Sequence, residues 1–196
     1  MPWTSVLLLE TDRARMSLRR YSTDRAEPCP AGYYHETKTF VGTAPLTIDG
    51  EGNWHVEMPQ PPHTDPRWPT HCACGYTFTE ADNWVLSPSR IYTRQDTGAE
   101  LTLDEAEPGM MWRSWWFEDE WHGPDGKSYT IRLPGGGEWA MDGPSTSGPG
   151  WTRSGEAPNI TARPSILTKD CSAWRGYHGW LTDGVLSDDL EGRTYE

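Results

Sequence analysis

Cys72 and Cys74 stand one residue apart in Pro69-Thr70-His71-Cys72-Ala73-Cys74-Gly75-Tyr76, and a glycine closes the pair. Thiols at that spacing belong on the tip of a turn, where both sulfurs can point at one ion. A second cluster, Cys171 followed by Tyr177-His178-Gly179-Trp180, offers a third thiol and an imidazole. A Cys3His set suits tetrahedral zinc, and four protein ligands leave no open position for water. The ligand set expected from spacing is therefore Cys72, Cys74, Cys171 and His178, acting as a staple rather than a reaction centre. Cys29 and His35, six residues apart, are possible metal ligands or equally a turn with a buried thiol and a surface imidazole; Cys29 is the reserve thiolate for Cys171, and His71 beside Cys72 is the other reserve ligand.

Other chemistry is harder to assemble. Ser145 and Ser165 lack the Gly-x-Ser-x-Gly setting of a nucleophile elbow, and no His-Glu-x-x-His is present. His55, His63 and His122 stand alone in polar surroundings, and Glu118-Asp119-Glu120 reads as a solvated acidic face. A rival reading keeps the metal but frees one ligand position for water, making a metal hydrolase with Asp183 or Glu120 as base. The run from Pro108 to Trp121 holds Trp112, Trp115, Trp116 and Trp121. These could form a sugar-stacking platform, although packed tryptophan is the commoner fate of such residues.

The elements that must position these groups read as short strands and turns. Leu46 to Met58 alternates apolar and polar residues on both sides of a Gly-rich link, which predicts a hairpin. Tyr129, Ile131 and Leu133 face one way along a strand that returns through Gly135–Gly137 to Trp139-Ala140-Met141. Tyr177 to Leu186 predicts a strand, an Asp-Gly turn and a strand. Short strands are also expected at 76–78 and 91–94, with Leu101 to Asp104 following. One short Trp-rich helix is expected within 108–121 from its i, i+4 pairs; residues 1–27 offer a further candidate helix capped by Thr11 or Asp12, but an arm lying along the body or along a neighbour is the favoured reading there. Pro59, Pro61, Pro62, Pro66 and Pro69 predict an extended linker, and 143–150 a Ser/Gly/Pro loop.

The chain has 196 residues, and its apolar fraction of 35% is low, with Gly 20 and Pro 17 high. Twelve Trp offset this with large buried areas per residue. The fold class expected is mostly β (α+β with little helix), with loop-rich small antiparallel sheets, zinc-stapled, and one short Trp-rich helix. Residues 1–66 are read as an N-terminal arm and hairpin, 67–186 as the zinc-stapled core, and 187–196 as an acidic tail. A net charge of -12 disfavours nucleic acid as a partner. Val6 to Leu9 is too short to span a membrane and lacks a basic start or cleavage site, so a reducing cytoplasm is expected. That compartment favours metal ligation over disulfides.

Several motifs resemble a little-characterised family of small bacterial and actinophage proteins. They are Cys72–Gly75, the Trp-rich middle, Gly150–Gly155, Pro158–Thr161, Pro164–Ile166 and Tyr177–Leu186, within roughly residues 67–186. The resemblance implies a zinc-ribbon-like module and nominates Cys72, Cys74, Cys171 and His178, with a longer gap between Cys171 and His178 here. It carries no established activity. Relatives lie beside ubiquitin-like conjugation genes or among phage virion and assembly genes. The function expected is a non-enzymatic, zinc-stabilised phage protein that docks on protein partners in a larger assembly. It would be made in host cytoplasm and be a capsid- or tail-associated virion component. No small-molecule substrate is identified.

Overall fold

A computed structural model describes residues 2–22, 28–30, 34–50, 53–145, 150–171 and 173–195. The chain is mostly β. Its strands in order are β1 (Trp3–Thr4), β2 (Val6–Ser22), β3 (His35–Ile48), β4 (Trp54–Val56), β5 (Asn83–Arg94), β6 (Glu100–Leu101) and β7 (Met110–Arg113). There follow β8 (Tyr129–Arg132), β9 (Glu138–Ala140), β10 (Thr152–Ser154), β11 (Thr161–Leu167), β12 (His178–Thr182) and β13 (Val185–Leu186). Helical turns are limited to 3₁₀ pieces at Leu103–Glu105 and Trp115–Phe117 among the described residues. No helix of the described residues is long and apolar enough to cross a membrane.

The chain divides into two compact units, Met1–Leu9 with Thr93–Glu196, and Glu10–Tyr92. The division thus falls inside β2 and β5, not at the Pro-rich stretch. That stretch is tied within the second unit: Trp68 Nε1 donates to Pro62 O at 2.9 Å, and the Gln60 side chain meets the backbone of Trp84 and Leu86.

In the second unit, β2 pairs antiparallel with β3 from Arg13↔Pro45 to Ser22↔His35. The segment read as an arm, with a candidate helix among its arginines, is this strand. Ala14, Met16 and Leu18 repeat every second residue and are all buried, which is the period of a strand with one face inward. Arg20 continues the inward row; its guanidinium lies 3.5 Å from the Trp84 ring centroid, and Trp84 stacks on His63. The hairpin over Leu46 to Met58 is present, pairing Leu46↔Val56 and Ile48↔Trp54; residues 51–52 of its link lie outside the described residues.

In the first unit, one sheet runs β1-β13-β12-β11-β10. In the other, Val6–Leu8 pairs parallel with β7, and β7, β8 and β9 follow antiparallel. Inward side chains of both meet in one core, including Met111, Ile131, Ile160, Ile166, Tyr177 and Leu181. Arg153, almost wholly buried, is held there by Asp142, Asp125 and Lys127 O. The Trp-rich helix is absent. Met110–Arg113 is a strand because Ser114 turns the chain, its N–H donating to Ser128 O and its hydroxyl bonded to Thr130, so only one 3₁₀ turn follows. The stretch at 76–78 makes a single bridge, His71↔Thr77. The 143–150 loop falls largely on 146–149, outside the described residues.

Candidate metal centre

The turn that carries Cys72 and Cys74 is built from its own backbone. Cys72 N–H donates to Tyr76 O and Gly75 N–H to Cys72 O, both at 2.9 Å, and Phe78 N–H donates to Thr70 O. Gly75 has φ 96°, where a side chain would be strained, so the glycine closing the pair is what bends the sulfurs to one side. Asp82 fastens the exit of the turn by accepting from Thr79 N–H and Oγ1 and from Tyr76 Oη. Burial works against the Asp82 carboxylate, but these bonds hold its carboxyl below the ordinary range.

Cys29 lies six residues ahead of His35, and His35 opens β3 where it pairs with Ser22. The intervening 31–33 lie outside the described residues. Cys29, His35, Cys72 and Cys74 bring one ligand atom each to within 4.8 Å of one another. Cys29 Sγ is 3.9 Å from Cys72 Sγ, and His35 Nδ1 is 3.2 Å from Cys74 Sγ. None of the four cysteines is in a disulfide. A sulfur pair sharing a tetrahedral ion at ~2.3 Å from each would sit about 3.8 Å apart, whereas a disulfide needs ~2.05 Å. The observed separation matches a shared cation. The thiols of Cys29 and Cys72 and the ring of His35 are each no more than 7% exposed, among Phe78 and Tyr76, the latter stacked 4.0 Å from the His35 ring.

Electrostatics prepare the site. Burial pushes the Cys72 thiol up, but hydrogen bonding to the backbone of Cys74 and Glu36, with the Cys74 sulfur and His35 ring beside it, brings it down to about 6. A thiol of this kind is ready to ligate, because the thiolate is the ligand form. The four groups can hold a metal ion, to which they offer three sulfurs and one nitrogen.

Of the residues expected from spacing, the structure brings Cys72 and Cys74 together with the reserve ligand Cys29. It adds His35, which the sequence offers with Cys29 as a possible ligand pair. Cys171 and His178 lie in the other unit and outside this group. Cys171 is exposed, and its sulfur accepts from Ala173 N–H. The His178 ring meets Ser165 and Glu191. His71 is exposed with its ring on Thr70 Oγ1, outside the group.

Asp183 and Glu120 are not part of the group either; Asp183 shares the β12–β13 turn with Gly184, both at positive φ. Of the four tryptophans, Trp112 is fully buried, Trp115 and Trp121 are half-buried, and Trp116 is exposed, edge-on to Trp115 and Phe117. They do not offer a common open face. Compared with protein-family models, curated proteins and solved structures, the chain has no match in any of the three.

Proposed function

We propose that Cys29, His35, Cys72 and Cys74 bind structural zinc, and that the protein is a zinc-stabilised component that docks on protein partners in a larger assembly, as a capsid- or tail-associated virion protein. The observation that carries the metal is the convergence of three sulfurs and one imidazole nitrogen within 4.8 Å. Sulfur-rich, four-coordinate, buried sites favour zinc over hard cations and leave the ion no place for substrate. The energetic need is plain. Structural zinc contributes about 10–16 kcal/mol in finger peptides, against about 5–15 kcal/mol for the whole stability of a domain. The assembly role is supported by the phage resemblance of the motifs and by exposed apolar side chains such as Phe40 and Leu190.

Two measurements test this. X-ray absorption of the purified protein should show three sulfur and one nitrogen scatterers around one zinc, and an oxygen in that shell would point to an open, hydrolytic site instead. Mass spectrometry of purified particles should find the chain among virion components. Its complete absence there would refute the placement while leaving the zinc untouched.

A further inference from the structure

The outer face of β11 and β12, in the unit without the metal cluster, carries Ser165, His178 and Glu191 in a single hydrogen-bonded line. Ser165 Oγ lies 3.4 Å from His178 Nε2, and His178 Nδ1 lies 3.1 Å from Glu191 Oε1. A carboxylate against Nδ1 fixes that nitrogen as the N–H donor, which leaves the Nε2 lone pair facing the serine hydroxyl. This is the order of groups that activates a nucleophile: hydroxyl, base, and a third group orienting the base. The outer bond is at the long end of hydrogen bonding, as is common before substrate tightens such sites.

The arrangement is supported from below. Alternation along β12 puts Gly179 and Leu181 inward and His178 and Trp180 outward. Glu191 is held by Asp189, whose side chain is fully buried. Asp189 accepts from His178 N–H, Tyr195 Oη and Arg193 Nη1 with one oxygen, and from the N–H groups of Glu191 and Arg193 with the other. Leu190 N–H donates to His178 O at 2.7 Å. The chain end is thereby folded back onto β12, with its next carboxylate delivered to the imidazole.

We propose that Ser165 is a nucleophile, His178 its general base and Glu191 the positioning residue of a site that cleaves carboxylic esters. The Ser165 Oγ–H proton passes to His178 Nε2 as Oγ bonds to the carbonyl carbon. The imidazolium then returns that proton to the departing alkoxide, releasing an alcohol and leaving an acyl-serine. Water attacks the acyl carbon, giving a proton to Nε2, and the serine leaves with that proton as the acid is released. Esters are the class, rather than amides, because the site lies on an open sheet face where a developing oxyanion is left to solvent, so a good leaving group is needed. Trp180, under the Arg163 guanidinium at 5.2 Å, and exposed Leu167 make the neighbouring surface apolar, which suits an apolar or aromatic acyl group. The inference goes beyond the zinc reading and does not depend on it.

The test treats the full zinc-loaded chain with a fluorophosphonate probe and with p-nitrophenyl acetate. Expected are a covalent adduct mapped to Ser165, its loss in S165A, and labelling at least about tenfold slower in H178N. In E191Q the kcat for p-nitrophenyl acetate should fall with KM little changed, and E191D should restore part of it; a structural role alone would not split the two. Tryptophan emission matching the wild type confirms that each variant is folded. Labelling no faster than in S165A, or undiminished in H178N, overturns the proposal and reduces the line to surface hydrogen bonding.

Discussion

Cys29 is the residue on which the metal reading can be tried most sharply, because it lies 43 residues from Cys72 in the chain and its sulfur nevertheless sits 3.9 Å from that of Cys72. Removing one ligand of four forfeits about a quarter of the ~10–16 kcal/mol of a structural site, about 3 kcal/mol or ~100-fold in affinity. C29S and H35A are therefore expected to bind zinc about a hundredfold more weakly in chelator competition, whereas C171S is expected to bind it as the wild type does. Asp189 makes a pH prediction. Burial opposes its charge, but bonds from His178, Tyr195, Arg193 and Glu191 outweigh this and hold its carboxyl far below the ordinary 3.8. A depressed carboxyl contributes stability that is fully present above the unfolded value and is lost as pH falls toward the folded one. The chain end from 187 onward should accordingly loosen below about pH 4, read as faster exchange of the Glu191 and Arg193 amides; in D189N the same loosening should already be present at neutral pH.

At the scale of elements, the turn between β12 and β13 is the least forgiving. Gly184 has φ 71°, and a Cβ there would meet Pro158 O at 2.6 Å. G184A should cost at least about 1 kcal/mol, ~2–4 °C in Tm for a chain of this length, measurable by calorimetry. The three hairpins were legible beforehand because both arms and the link lie within a dozen or so residues, so alternation and turn chemistry agree locally. β2 was not legible. Its inward row of Ala14, Met16, Leu18 and Arg20 ends in a cation whose partner, Trp84, lies more than sixty residues on, and the flanking arginines mimic the polar side of a helix. The i, i+4 aromatic pairs of Met111–Trp116 misled for a related reason. They record burial, but the bonds that set the backbone come from Ser128 and Thr130.

For the whole molecule, the metal cluster falls entirely within Glu10–Tyr92, and the Ser165–His178–Glu191 line within the other unit. Hydrogen exchange with and without chelator should show protection lost chiefly over residues 10–92, with strands β8, β11 and β12 far less affected. Uniform loss over both units would show that the ion stabilises the chain as one block. The site was half legible for the same reason as the fold: Cys72 and Cys74 announce themselves by spacing, whereas Cys29 and His35 reach them through the long β2–β3 pairing that spacing does not reveal.

That separation of the ligands along the chain carries a consequence for biosynthesis. A nascent polypeptide that has emerged only as far as His35 presents one sulfur and one imidazole, too few to trap an ion firmly, and must wait about forty further residues for the remaining pair. Four-ligand binding can thus begin only once residue 74 has emerged, and a prematurely terminated product ending before Cys72 would leave the β2–β3 ribbon without half of those ligands and open to proteolysis.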